Sequence, residues 1–145
     1  MITGLHHVAI SVTVLERSFA FYSDVLVLEL IVPPFSLGSS EEEIMAVPRL
    51  EGRMCLVSAG GATLELFEFK EPQPAPRYEG SFISQRGFTH FGYTVDDIET
   101  EHARLLGHGV EFLSRLMTFE PLFKAVYGKD PDGNVFELMQ PLRPA

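Results

Sequence analysis

Apolar and polar residues alternate in short segments along this chain, and each such segment predicts a β-strand. In the first half the predicted strands are Gly4–Val12, Leu28–Val32, Arg53–Ser58 and Ala62–Phe69. Between the first two strands, apolar residues recur at the spacing of an amphipathic helix, namely Leu15, Phe19, Tyr22 and Leu26. Gly60-Gly61 predicts a tight hairpin between the last two strands. The first half therefore has the order strand, helix and three strands.

The second half repeats this order. Phe88–Val95 predicts a strand, Asp96-Asp97 supplies an N-cap for a following helix, and Gly109–Leu113 predicts a short strand. A last hairpin is predicted from Lys124–Lys129 and Asn134–Gln140, around the turn sequence DPDG. At an offset of 83 residues, LHHVAISVTVLERSFA aligns with FTHFGYTVDDIETEHA. We interpret the pattern as an ancient duplication, because two copies are too few for a stacked repeat array.

The whole chain, residues 1–145, is thus predicted to be a single domain of two modules. The first module covers about residues 1–70, a proline-rich connector covers 71–87, and the second module covers 88–142. Pro33–Arg49 and Leu116–Lys124 lack a clear period and are predicted to be loops.

Composition narrows the classes of function. A net charge of -9 argues against a nucleic-acid partner or an acidic membrane surface. No apolar run approaches the ~20 residues that a membrane span needs, and no signal peptide is evident. The single cysteine, Cys55, cannot form an internal disulfide and is predicted to be a buried core residue. We therefore expect a cytoplasmic protein with a small-molecule partner.

The strand period places one histidine of each half on the side away from the helix. In HHVAISV the Val and Ile residues face the helix, so His7 points the other way. In FTHFGYTV the same parity applies to His90. The residues that share this open side with the histidines are small: Ala9, Ser11, Gly92 and Thr94.

Two glutamates follow the same logic. Glu65 in ATLELFEF and Glu137 in NVFELMQP alternate with core residues and share their side with Phe67 and Met139. An ionised carboxylate on the inner face of a sheet needs a partner, and two carboxylates and two imidazoles can share a divalent cation. The sequence therefore predicts one metal site with the ligands His7, Glu65, His90 and Glu137. These donors suit Zn, Ni, Co, Mn or Fe, and no thiolate narrows the choice.

Other polar residues are weaker candidates. Glu68 has the wrong parity for the Glu65 side, and His6 has the opposite parity from His7. His102 and His108 lie on or just after a helix, and the run Glu41–Glu43 is expected to be a solvated face. Some cationic or phenolic side chains could bind an anionic end of a substrate, although each is more simply a surface residue: Lys124, Tyr127, Arg53 and Arg86.

Four motifs together resemble the vicinal oxygen chelate superfamily of glyoxalases, bleomycin-resistance proteins and extradiol dioxygenases. They are HHVAISV, SFAFYSDVL, LELFE and DPDGNVFELMQP, and they cover nearly the whole chain. The resemblance implies an α+β fold of two βαβββ modules whose sheets form an incomplete barrel, a cup around one metal ion. A homodimer is expected, and its assembly stays open: both modules close one cup within a chain, or two chains exchange modules across a two-fold axis.

The resemblance separates three functions by their ligands. Glyoxalase I and methylmalonyl-CoA epimerase take a fourth ligand at the position of Glu65, which favours an isomerase, epimerase or lyase that moves a proton next to a carbonyl. Glu137 is then the first choice for the base and Glu65 the second. An extradiol-type dioxygenase would use His7, His90 and Glu137 only, and a non-catalytic resistance protein would bind a small molecule without the ligand set. Substrates implied by the resemblance include anionic thioesters, thiol adducts and small hydroxyketones.

One departure from the family pattern concerns the end of the first helix. Relatives often have glycine there, whereas this chain has Val27 in VLVLEL. The first helix therefore lacks its usual glycine stop, which leaves its end open.

Overall fold

The computed structural model describes residues 1–75, 83, 84 and 86–142. The chain divides into two compact units, Met1–Arg77 and Tyr78–Ala145. The connector predicted at residues 71–87 lies partly outside the described residues. None of the described helices is long and apolar enough to cross a membrane.

The first unit is a four-stranded sheet with one helix packed on it and a second, short helix between strands. Its elements are β1 (His7–Ser11), α1 (Leu15–Ala20), β2 (Glu29–Ser36), α2 (Ser39–Met45), β3 (Glu51–Ala59) and β4 (Ala62–Glu71). The strand order is β1-β4-β3-β2, in which β1 runs parallel to β4 and the other neighbours are antiparallel. Gly60 and Gly61 both have positive φ, as the tight hairpin between β3 and β4 requires.

The second unit repeats this topology. Its elements are β5 (Phe91–Thr94), α3 (Ile98–Gly107), β6 (Met117–Phe119), β7 (Phe123–Lys129) and β8 (Val135–Pro141). The strand order is β5-β8-β7-β6, again with the first strand parallel to the last. The predicted α+β fold of two βαβββ modules is confirmed, and neither described four-stranded sheet closes into a barrel.

The buried core lies on the side of each sheet that the helices cover. In the first unit the alternation is clear, because Ile10 and Val12 are buried while Ala9 and Ser11 are exposed. Cys55 is fully buried, as predicted, and burial raises the pKa of its thiol to about 11. The fully buried side chains that fill the two cores include Leu15, Tyr22, Leu66, Ile98, Leu105 and Phe136.

The segment predicted as the loop Pro33–Arg49 is more ordered than expected. Strand β2 continues through Pro33-Pro34 to Ser36. Proline cannot donate a hydrogen bond to a neighbouring strand, but β2 is an edge strand whose register shifts at this point, so the missing bonds are tolerated. Helix α2 follows, with the Gly38 N–H donating to the Glu41 carboxylate at 2.8 Å. The acidic run therefore supplies the first turn of a helix, where carboxylates stabilise the free N–H groups.

The prediction of a strand at Gly109–Leu113 is wrong, because most of this segment does not pair as a strand. Only Phe112 forms a bridge there, opposite Gly128, and the longer pairing is made by β6 in the segment predicted as a loop. The second strand of this module is thus divided into two pieces, the counterpart of the register shifts in β2. Strand periodicity does not show such a break, because each piece alone is too short to display a period.

The first helix ends as a wide π-helical turn, Phe21–Val25, and Val27 follows with φ of 58°. This left-handed conformation is the one that glycine adopts at the ends of helices. Val27 therefore adopts here the left-handed turn that glycine more often provides.

Candidate metal centre

The first predicted donor pair lies on the parallel strands β1 and β4. Ala9 pairs with Glu65 in the register, so His7 lies two residues earlier on the same face. The His7 Nε2 atom is 3.6 Å from the Glu65 Oε2 atom. The exposed fractions of the two side chains are 43% and 17%, so a ligand from solvent can reach both.

The second pair has the same arrangement. His90 lies immediately before β5, Gly92 pairs with Glu137, and the His90 Nε2 atom is 3.5 Å from the Glu137 Oε2 atom. Strand parity in both halves thus brings together the histidine and the glutamate that the sequence singled out.

The spacing within each pair fits two ligands of one cation better than a hydrogen bond. An N–H···O hydrogen bond has its heavy atoms about 2.9 Å apart. Two ligand atoms with bonds of about 2.1 Å and a roughly tetrahedral angle lie about 3.4 Å apart. The distances of 3.5 and 3.6 Å are close to the second value. Within residues 1–75, 83, 84 and 86–142, no group of three or more His, Cys, Asp or Glu side chains is suited to hold an ion, so each His–Glu pair is described by itself.

Glu68 does not belong to this site, as its parity predicted. It is buried on the helix side of β4, where its Oε2 atom accepts hydrogen bonds from the Leu15 N–H at 2.7 Å and from Arg53 at 2.9 Å. Hydrogen bonds with Glu16 and Glu68 raise the pKa of Arg53. Because Arg53 and Lys124 form ion pairs with Glu16 and Glu99, they are engaged at helices rather than available to a substrate.

Phe67 is not an open lining residue, contrary to the prediction from parity. It lies on the same face as Glu65, but it is buried in an apolar cluster with Leu37, Leu50 and Met54. The cluster forms because the segment around α2 folds back over this part of the sheet, which the strand pattern of β4 alone could not reveal.

Two residues next to the histidines were missed by sequence reasoning. The His6 Nδ1 atom lies 2.9 Å from the His7 Nδ1 atom, and the Thr89 Oγ1 atom lies 3.0 Å from the His90 Nδ1 atom. Parity argued against His6, but a residue that precedes a strand is not bound to the alternation. The offset of 83 residues, which aligns His6 with Thr89, was the available signal.

Tyr127 also contacts the second pair. It lies directly opposite Glu137 in the register of β7 and β8, and its ring packs edge-on against His90 with centroids 4.9 Å apart. Burial, followed by the charge of Glu137 and a hydrogen bond to it, raises the pKa of Tyr127. The phenol therefore stays protonated at neutral pH and can donate to the Glu137 carboxylate.

Comparison with known proteins places this arrangement in a family. The family model "Glyoxalase/Bleomycin resistance protein/Dioxygenase superfamily" matches residues 4–138. The chain belongs to this superfamily. It is 30% identical over 136 residues to the uncharacterized protein YaeR of Escherichia coli, covering 94% of this chain and 95% of YaeR. It is also 27% identical over 141 residues to the metallothiol transferase FosB of Staphylococcus saprophyticus, covering 95% of this chain and 77% of FosB.

Solved structures of the glyoxalase superfamily share the fold. A glyoxalase family protein of Bacillus cereus has a TM-score of 0.88 at 19% identity and covers 99% of this chain and 97% of its own. The fosfomycin resistance protein FosX of Listeria monocytogenes, solved with Mn(II) and sulfate, has a TM-score of 0.61 at 20% identity and covers 97% and 93%. The superfamily includes metal-dependent enzymes, so a function of this general kind is supported for the chain.

Proposed function

We propose that the protein is a divalent-metal-dependent enzyme that moves a proton next to a carbonyl of a small substrate, as an isomerase, epimerase or lyase of the glyoxalase type. The observation that carries the proposal is the repeated His–Glu pair, with Nε2 and Oε2 atoms 3.6 Å apart in one unit and 3.5 Å apart in the other. The four donors of the two pairs, from one chain or from two copies in a homodimer, would hold one ion.

The donor set suits Zn, Ni, Co, Mn or Fe, since it offers two neutral imidazoles and two carboxylates and no thiolate. The names of FosB, a metallothiol transferase, and of the Mn(II) complex of FosX support a metal in proteins of this fold. When bound, such an ion would polarise substrate oxygens as a Lewis acid.

The glutamates provide the groups that can carry the proton. Glu137 and Glu65 each remain partly exposed, so a carboxylate oxygen could accept a proton from the carbon next to the carbonyl and return it. A carboxylate in each module could serve opposite faces of a planar intermediate, as an epimerisation needs. The small side chains of Ala9 and Gly92 leave space beside the two pairs.

A second candidate is the transfer of a thiol to a small molecule. It is favoured by the 27% identity to a metallothiol transferase over 95% of this chain. The fourth donor, Glu65, favours the first candidate, because the resemblance associates that position with glyoxalase and epimerase chemistry.

The test combines metal analysis with isotope exchange in the purified protein. We expect about one divalent ion per pair of modules after metal loading, and exchange of the α-hydrogen for deuterium in a panel of thiol hemithioacetals, acyl thioesters and hydroxyketones. Glu137→Gln and Glu65→Gln should slow the exchange by about 10²–10⁴-fold if both carry protons. The exposed residue Glu43 gives a matched control, Glu43→Gln, which should leave the exchange unchanged.

Other outcomes assign the protein elsewhere. Negligible metal under metal-replete conditions rejects the enzyme proposal, and tight apolar-ligand binding without metal then indicates a resistance-type binding protein. Oxygen uptake with a catechol and tolerance of Glu65→Gln indicate an extradiol dioxygenase. Consumption of a thiol without exchange at the α-carbon indicates thiol transfer.

A further inference from the structure

The residue immediately before each candidate histidine contacts the ring nitrogen that faces away from the glutamate. His6 reaches the Nδ1 atom of His7 at 2.9 Å, and Thr89 reaches the Nδ1 atom of His90 at 3.0 Å. His6 and Thr89 occupy equivalent positions in the repeat, so the contact occurs in both halves with different side chains. Because an imidazole in one half and a hydroxyl in the other make the same contact, we expect the two residues to act on their histidines in the same way.

The task follows from the chemistry of imidazole. A neutral imidazole has a proton on one nitrogen and a lone pair on the other, and only the lone pair can bind a cation. A partner that accepts a hydrogen bond at Nδ1 keeps the proton there, so that Nε2 presents its lone pair. In both units the Nε2 atom is the one that lies next to a carboxylate, Glu65 or Glu137.

We propose that His6 and Thr89 are positioning residues that hold His7 and His90 in the Nδ1–H tautomer, with Nε2 directed at the cation that the glutamates share. His6 accepts through its own Nδ1 lone pair, and Thr89 accepts through its hydroxyl oxygen. The inference rests on the proposed metal function, but the tautomer is a property of the metal-free protein and can be observed without a bound ion.

The competing arrangement is specific. Each contact is a single hydrogen bond, and its proton could instead come from His6 Nδ1–H or from the Thr89 hydroxyl. His7 and His90 would then carry the proton on Nε2, and this tautomer cannot bind a cation through that atom. The two arrangements have the same heavy-atom distances, so the nitrogen that carries the proton has to be measured.

The measurement is a long-range ¹H–¹⁵N correlation spectrum of the metal-free, ¹⁵N-labelled protein at a pH at which imidazole is neutral. We expect the Nδ1–H tautomer to dominate for His7 and His90. His6→Phe and Thr89→Val should each shift the adjacent histidine toward the other tautomer and lower the affinity for Zn(II) or Mn(II), measured by chelator competition, by about 10–100-fold. Thr89→Ser should restore both properties.

Controls separate positioning from folding. His6, Thr89 and His108 are all exposed, so none of these substitutions should change the thermal midpoint appreciably, and His108→Phe should leave both the tautomers and the affinity unchanged. An Nε2–H tautomer for His7 and His90 in the unsubstituted protein would overturn the inference, as would unchanged tautomers in both variants. If the tautomers are as expected and no metal binds, the proposed function is rejected, and only the control of the tautomers by His6 and Thr89 stands.

Discussion

In the first module the residue directly across from Glu65 is Leu56, whereas in the second module the residue directly across from Glu137 is Tyr127. The two glutamates therefore have equivalent strand positions and nearly equal distances to a histidine, 3.6 and 3.5 Å, but different neighbours. Tyr127 can donate a hydrogen bond to Glu137 and packs against His90, while Leu56 offers Glu65 only methyl groups. The comparison teaches that the duplication preserved the donors and let their surroundings diverge.

The divergence suggests different tasks for the two carboxylates. A hydrogen bond from Tyr127 restrains the Glu137 side chain, which suits a fixed ligand. Leu56 gives Glu65 no such restraint, which suits a group that carries a proton to and from a substrate. The sequence-based first choice of Glu137 as the base stays a prediction beside this alternative assignment.

The modules also share polar groups that serve the fold. Glu68 accepts from the N–H of Leu15 at the start of α1, and Gln140 accepts from the N–H of Ile98 at the start of α3. An ion pair from β3 to α1 and another from β7 to α3 accompany them, Arg53–Glu16 and Lys124–Glu99. A repeated polar position is therefore not by itself evidence for a catalytic site; its side of the sheet decides.

The largest effect is expected from removing the carboxylate of Glu68, which has Gln140 as its counterpart in the second module. Glu68→Ala leaves the buried N–H of Leu15 without its acceptor and should lower the free energy of unfolding by about 2–3 kcal/mol, measured by urea denaturation. Glu68→Gln, which imitates the second module, should cost less because the amide keeps an oxygen acceptor. Gln140→Ala should cost about 1–2 kcal/mol, since its bond to Ile98 N–H is longer at 3.1 Å.

The control for this series is Glu43→Ala at an exposed helix position, which should change stability little. If Glu68→Ala also has little effect on unfolding but abolishes metal binding, Glu68 belongs to the site, and the division between the two sides of the sheet is wrong.

The next largest effect concerns the residue across from each glutamate. Tyr127→Phe removes the hydroxyl but keeps the ring against His90, and it should lower activity about tenfold, the value of roughly one hydrogen bond to a charged group. Leu56→Phe is the matched change in the first module and should have a smaller effect, because no hydrogen bond is lost there. The measurement is the rate of α-hydrogen exchange with metal content held constant. Equal losses in both variants would remove the functional distinction between the modules.

Much of the comparison was available from the sequence. Short-range periodicity was enough to give the offset of 83 residues, the strand parity of His7 and Glu65, and the exclusion of Glu68. In the structure, the two members of each predicted pair lie on or next to adjacent, hydrogen-bonded strands. Periodicity reports which side a residue faces along one strand, and for these residues that was sufficient.

The sequence was insufficient where a contact joins distant segments or lies at the end of a strand. The cover over Phe67 comes from the segment around α2, through Leu37 and Leu50 on either side of the helix. The pairing of Tyr127 with Glu137 depends on the register of a hairpin. His6 precedes its strand, so the alternation gave the wrong indication. Helix α2 was missed because the run of glutamates at its start looks like a solvated loop, and the bond from the Gly38 N–H to Glu41 leaves no trace in the apolar pattern.

The smallest expected effect compares the ends of the two helices. Val27 follows the first helix with φ of 58°, and Gly109 follows the second with φ of 80°. A β-branched residue in the left-handed region is strained by about 1–2 kcal/mol, whereas glycine is not, although glycine gains more entropy on unfolding. Val27 is 71% exposed, so little packing is lost on truncation. Val27→Gly should therefore raise the free energy of unfolding by about 0.5–1 kcal/mol. Val14→Gly, at an exposed valine with φ of -136°, should lower it, because that backbone suits valine. A loss of stability in both variants would mean that the left-handed turn at Val27 is not strained. Valine would then end the first helix at no greater cost in free energy than glycine ends the second.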